Sequence, residues 1–510
     1  MTTPSARLAS LALIAILSGC DGAERSSDAV FRVGLQDEPR SLDPALGYDV
    51  ASWALEHLMF ESLVGYGPRS EIVPALAASW EARGDRSWVF HLRTGARFHD
   101  GRPVRASDVV ATFERLLAPA TRSPGASFYA AIAGAPERLA GRPAPPLGVT
   151  ALDEATVRIT LTRPVPVFLQ LLAMPFTAVL PAGTGRDSHG TPPVGTGPFR
   201  LAAWESGRRI AFERHPHAPP PAGPPGSRPP RGVEVRLGVA ESMEVLRFER
   251  GDLDVVGALR GIPAADFAFL ADHPDWRPRL HRAPDAAVHY VTINTGVPPF
   301  DRREVRRAVA MAIDKRRIVR LINGRGEPAA GILPPTVPGF DASLRGLPHD
   351  PDRARTLLAR AGLGGGFEAT YACVANDTQR KVAQAIQQDL AGVGIRLTIK
   401  PMALPTYLQA KSTRGQVAIG SGNWSQDYPD PGNFLTTMFH GKNVHDTESL
   451  NDSFYENPVV DALLDRAEAS VAPADRARLF RQAEAIIIED APAVPLYHPV
   501  KYHLPGRRVV

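Results

Sequence analysis

The stretch NWSQDYPDPGNFL, residues 423–435, sets two carboxylates, Asp427 and Asp430, three residues apart among prolines, a glycine and asparagines, with Trp424 nearby. A carboxylate preset on a stiff loop can take a cationic group in a charge-assisted hydrogen bond, and two together could divide acid and base roles. Aspartate and proline also form turns. Both roles are open to Asp427 at this point, and Asp430 reads as a turn former. Catalysis would further require a nucleophile or an oriented base. The sequence has no phosphate-binding glycine loop, no H-E-x-x-H and no G-x-S-x-G, and GSGNW at 420–424 lacks the needed spacing. Glu489 and Asp490 form another acidic pair with no convergent partner. His215 and His217, two apart in the proline-rich HPHAPPPAGPPGSRPPRG (215–232), are weak zinc ligands and read as solvated loop histidines. Cys373 in FEATYACVA reads as a buried small apolar residue. No enzyme, no cofactor and no metal is expected from these residues.

The chain opens MTTPSARLASLALIAILSGCDG: Arg7, then an apolar run from Leu8 to Leu17 that is too short to span a bilayer and fits a signal-peptide core. Leu17, Ser18, Gly19 and Cys20 resemble a bacterial lipobox, whose cysteine is lipidated and becomes the mature amino terminus. Residues 1–19 are then a lipoprotein signal peptide and 20–29 a small, polar tether. Asp21 resembles the signal that retains lipoproteins at the inner membrane of a Gram-negative cell. Several acyl chains on Cys20 would hold the chain to the membrane, since each buried CH₂ contributes about 0.8 kcal/mol. The expected location is the periplasmic side of the cell membrane.

Behind these residues stand 510 positions, too many for one ordinary core, so two or three domains are expected. An apolar fraction of 44% and a charged fraction of 22% are those of a folded globular chain. The net charge is +4, but the arginines are scattered among acids, which argues against a nucleic-acid partner. FRVGL (31–35) reads as a strand, residues 50–64 as one amphipathic helix, and WVFHLR (88–93) followed by ARF (96–98) as a hairpin. ASDVVATFERLL (106–117) reads as a helix with Asp108 in its first turn. Residues 300–319 read as one helix with a capping-box-like start at Asp301 and Glu304, a buried stripe through Val305, Ala308, Val309, Ala312 and Ile313, and a solvated arginine face. Asp350–Ala361 and 378–392 are further helices, each followed by a glycine, and IRLTIK (395–400) is a strand. Alternating helices and strands imply a mixed α/β class.

Several stretches together resemble extracellular solute-binding protein family 5, the peptide and nickel type serving ABC importers. They include RSLDPA (40–45), WEARGDRSWVFHLRTGARFHDGRPVRASDVV (80–110), VGTGPFRL (194–201), FERGDLDVV (248–256), NTGVPPFDRREVRRAVAMAIDKRRIV (294–319), HDPDRARTLLARAGL (349–363) and the loop at 423–435. The resemblance covers nearly the whole mature chain. It implies an α/β fold of the periplasmic-binding-protein type II, with two hinged lobes and an additional domain. One lobe would comprise 30–47, 181–288 and 486–510, the additional domain 48–180, and the second lobe 289–485. It also implies that Asp427, in a W-x-x-D stretch, takes a peptide's α-amino group in a cleft between the lobes, with Trp424 as the neighbouring wall. Counting from SLDP, it places Tyr48, Asp49 and Val50 where main-chain groups meet an extended peptide; Tyr48 serves lobe packing equally well. Two departures stand out. Ser421 replaces the arginine of the best-known oligopeptide binders, so peptide-length preference does not carry over, and the proline-rich stretch replaces an aromatic segment.

The function implied is capture of short peptides for an ABC permease and its ATPase by a lipid-anchored monomer. Two alternatives stay open: a non-peptide solute such as a nickel chelate, sugar, haem or opine, and a periplasmic peptide chaperone or receptor.

Overall fold

The computed structural model describes residues 30–185, 194–218 and 230–506, and it divides into two compact units. The first runs to Ala283 and resumes at Lys501; the second is Pro284–Val500. The strand Ala493–Pro505 carries the chain back from the second to the first. Cys20 and the stretches 1–29 and 219–229 lie outside the described residues. No described helix is long and apolar enough to cross a membrane.

In the first unit, the strand Val30–Gly34 pairs in parallel with Gly232–Arg236, which continues antiparallel to Arg209–Arg214 and Phe199–Glu205. Period-two alternation puts Phe31, Val33, Ile210, Phe212, Val233 and Val235 on one face, where they share a core with Ala54, Leu55, Leu58 and Met59 of the helix Val50–Met59. A second antiparallel sheet orders Ala77–Ala82, Ser87–Leu92, Thr156–Thr160 and Val149–Ala151. The helix Ala106–Leu116 contacts its last two strands. Asp108 closes that helix start as its position suggests: one oxygen accepts from Arg105 N at 2.8 Å and the other from Ala182 N at 2.9 Å.

In the second unit, Ala287–Ile293 lies between the start of Ala493–Pro505 and Ile419–Ser425, antiparallel to both; Phe367–Val374 and Ile395–Met402 extend the sheet in parallel. Apolar clusters form on both faces, which explains why AVHYVTI is almost continuously apolar rather than alternating. Gly422 sits opposite Tyr290, where a Cβ would fall 2.2 Å from the ring.

Three expected elements differ. The helix from Val50 stops at Met59, because Gly197 N donates to Met59 O at 2.8 Å and Phe60 turns extended. The segment 96–98 forms no strand; only a bridge joins Arg97 to Pro103, and Ser87–Leu92 pairs with Ala77–Ala82 and Thr156–Thr160 instead. The single helix over 300–319 is two, Arg303–Ala312 and Lys315–Leu321. Asp314 separates them by capping the second, accepting from Arg317 N at 3.0 Å, while its own N–H goes to Asp389. The first has Arg302 at its cap with no side-chain bond, so no capping box forms at Asp301 and Glu304. Arg306 also departs from the solvated face: it is buried and donates to the carbonyls of Phe300, Asp301 and Asp490.

Candidate functional site

The strand Ile419–Ser425 delivers the chain into the loop, and Gln426 N, donating to Ala286 O at 3.0 Å, is its last sheet-like tie. Asp427 is then fixed twice by one buried amide. Its N–H donates to Asn433 Oδ1 at 2.8 Å, and Asn433 Nδ2 donates to its Oδ2 at 3.0 Å. The carboxylate is thereby aimed, while the residue stays half-buried. Asp430 is used differently. It is 7% exposed, accepts from Gly432 N at 2.7 Å, and forms a two-point pair with Arg476 at 2.6 and 3.1 Å. Arg476 lies over the Phe480 ring at 4.9 Å. Asp430 is therefore engaged in holding the loop to Arg476. Trp424 packs against the core containing Val288 and Tyr290, while its Nε1 is buried with no partner among the described residues.

In the first unit, Tyr48, Asp49 and Val50 begin the helix Val50–Met59. The Asp49 carboxylate serves as the N-cap: Oδ1 accepts from Ala51 N and Ser52 N at 3.1 and 2.9 Å, and Oδ2 from Ser52 Oγ at 2.6 Å. The Asp49 carbonyl already accepts from Trp53 N at 3.0 Å, so the Asp49 N–H is what is left for another role. Val50 is the first helical residue, so its N–H has no acceptor within the helix. Its side chain is exposed and borders a pocket. Tyr48 is 46% exposed, yet its ring packs 5.7 Å from Trp53 and 5.4 Å from Phe176. Beneath this turn lies Glu56, fully buried, with neither oxygen hydrogen-bonded among the described residues. Burial first, then Asp43 and Asp49, hold its carboxyl well above the usual range. Gly47 is required above it, because a Cβ would fall 1.9 Å from Glu56 Oε1.

The site residues therefore fall into two groups, Tyr48–Val50 in the first unit and Trp424 with Asp427 in the second. Asn433 and Glu56, which shape those groups, were not singled out by sequence. Asn433 carried a signal as the turn former closing PDPGN. The other candidates resolve locally. Glu489 pairs with Arg307, and Asp490 accepts from Tyr455 Oη at 2.6 Å. Cys373 is buried, and burial raises its thiol pKa. His215 corrects the reading of a solvated histidine: it is 2% exposed, with its ring 4.9 Å from His99, whereas His217 is exposed. No group of three or more metal-ligating side chains among the described residues could hold an ion.

Residues 71–446 match the family model for bacterial extracellular solute-binding proteins, family 5 Middle. The chain is 30% identical over 489 residues to a probable D,D-dipeptide-binding periplasmic protein, DdpA, of Escherichia coli, covering 91% of this chain and 87% of that one. It is 29% identical over 507 residues to heme-binding protein A of Haemophilus influenzae, covering 94% and 89%. Among solved structures it is similar to clavulanic acid biosynthesis oligopeptide binding protein 2, with a TM-score of 0.85 and 30% identity over 94% of this chain and 92% of the other. The fold is that of the type II periplasmic binding proteins.

Proposed function

Because the chain belongs to family 5 of the bacterial extracellular solute-binding proteins, we propose that it captures short peptides outside the cytoplasm and delivers them to an ABC permease driven by its ATPase. The observation that carries this reading is the clamp on Asp427. A carboxylate aimed by a buried amide and still half-exposed is suited to a ligand's α-ammonium group, and presetting it lowers the ordering cost of binding. Trp424 supplies an apolar wall beside it. The Tyr48–Val50 turn offers main-chain groups, which read peptide direction while tolerating varied side chains. Relatives named for D,D-dipeptides and oligopeptides support the peptide class.

In this reading Cys20 carries the lipid, residues 20–29 are the tether, and the protein works as a monomer at the membrane. Residues 48–180 form the additional domain. A relative named for haem favours one second reading, a haem-like solute. The test is to purify the chain from residue 21 onward and identify the co-purifying ligand by mass spectrometry. Peptides are expected; a tetrapyrrole with no peptide would favour the second reading and sink the first.

A further inference from the structure

We propose that the pocket beside Val50 takes the primary ammonium group of a lysine-like side chain on the bound peptide. The inference rests on the peptide reading above and adds a side-chain preference to it.

The pocket lies wholly within the first unit, with Val50 and Val239 as apolar walls and a backbone loop through Gly257 and Gly261 as its other side. Both glycines are left-handed, with φ of +77°. A Cβ on Gly257 would fall 2.5 Å from the Gly261 carbonyl carbon, so the loop can close this tightly only with glycine there. The free space is about 50 Å³, room for one or two water-sized groups. An ammonium head is of that size; a planar guanidinium is broader.

The lining is charged, and the charges do not cancel. Arg260 is its one cation and is already paired with Asp37 at 2.5 Å. Glu241 and Glu244 of the helix Glu241–Glu249 remain. Glu244 is 9% exposed and accepts from Gly257 N at 2.8 Å, and no cation among the described residues meets it. A carboxylate so far from water is stabilised by an incoming cation more than a solvated one would be. Behind it, Asp266 of the next helix has a buried oxygen with no partner among the described residues, which adds negative potential and no competing donor.

The same environment gives the site a pH signature. Burial pushes Glu244 up to about 7, with Glu241 and Asp266 adding to the rise and the Gly257 N–H opposing it. A lysine side chain stays charged throughout this range. Lysine should therefore gain over a neutral side chain of equal length as pH rises from 6 to 8 and Glu244 ionises, and the gain should level off above that.

The experiment titrates the purified protein with trialanine and with tripeptides carrying lysine, norleucine or arginine at each position in turn. At pH 8 the expected result is one position where lysine binds roughly tenfold tighter than norleucine, with arginine gaining less. That ratio narrows at pH 6 and falls close to one in E244Q. The exposed E241Q, which leaves the buried carboxylate in place, should narrow the ratio in part and guards against misfolding of the first variant. Equal binding of lysine and norleucine at every position, with trialanine bound, overturns this inference and leaves the peptide reading standing. If no peptide binds, both fall.

Discussion

Asp427 and Asp430 belong to one loop, yet they are held differently: the loop's own Asn433 holds the first, and a distant helix supplies Arg476 to the second. Asp430 meets the Arg476 guanidinium in a dry setting, so its charge is spent on holding the loop to the helix Pro473–Asp490. Asp427 meets the Asn433 amide at two points, which fixes its direction, and the residue stays half-buried. Asp49 gives a third outcome, a carboxylate spent on capping the helix Val50–Met59. Residue type and local turn chemistry are shared by all three. The neighbouring donor decides how each carboxylate is held.

The largest expected effect is on the guanidinium-bound member. D430A leaves the part-buried Arg476 without its counter-charge, a change that costs about 3 kcal/mol. Urea unfolding at pH 7 measures it, and a loss below about 1 kcal/mol would erase the contrast with Asp427.

Glu484 sharpens the comparison, because it is a buried carboxylate held by N–H groups with no guanidinium. It accepts from Ile332 N at 2.8 Å and Leu333 N at 2.9 Å, and burial pushes it up to about 7 from an ordinary 4.5 despite those bonds. The folded state then holds this proton more tightly than the unfolded chain does. Its stabilising contribution is full below pH 4.5 and is lost as pH rises to 7, by about 3 kcal/mol in all. E484Q should flatten that slope; an unchanged slope between pH 5 and 8 would show that the carboxyl is already ionised in the fold.

The cap is expected to matter least for stability. D49A should cost about 1 kcal/mol, read as a small shift in the urea midpoint. A shift as large as that of D430A would mean that the turn carries far more than a helix start.

The sequence made local features legible and non-local ones opaque. The helix at 106–117 was readable because its apolar spacing and Asp108 lie within a few residues of one another. The same holds for Pro351–Arg360, whose start is capped by Asp350 and whose end is followed by left-handed Gly362. The early end of the helix at Met59 was not, since its cause is Gly197, far along the chain. Within the loop, the turn role of Asp430 could be drawn from local chemistry, but its physical reason, Arg476, stands 46 residues away. His215 was misread because its proline-rich surroundings speak for solvent, whereas packing against His99 decides its burial. Glu244 left a faint trace: it stands four residues before the buried Phe248, on the inward side of its helix.

The most direct test of the central claim crosses two small changes. Affinities are measured for one tripeptide with a free or an acetylated amino terminus, each against the native protein and D427N. If the aspartate meets the ammonium group, acetylation should weaken binding to the native protein by about 2–5 kcal/mol and should cost D427N almost nothing. The same acetylation penalty in both proteins would contradict the account.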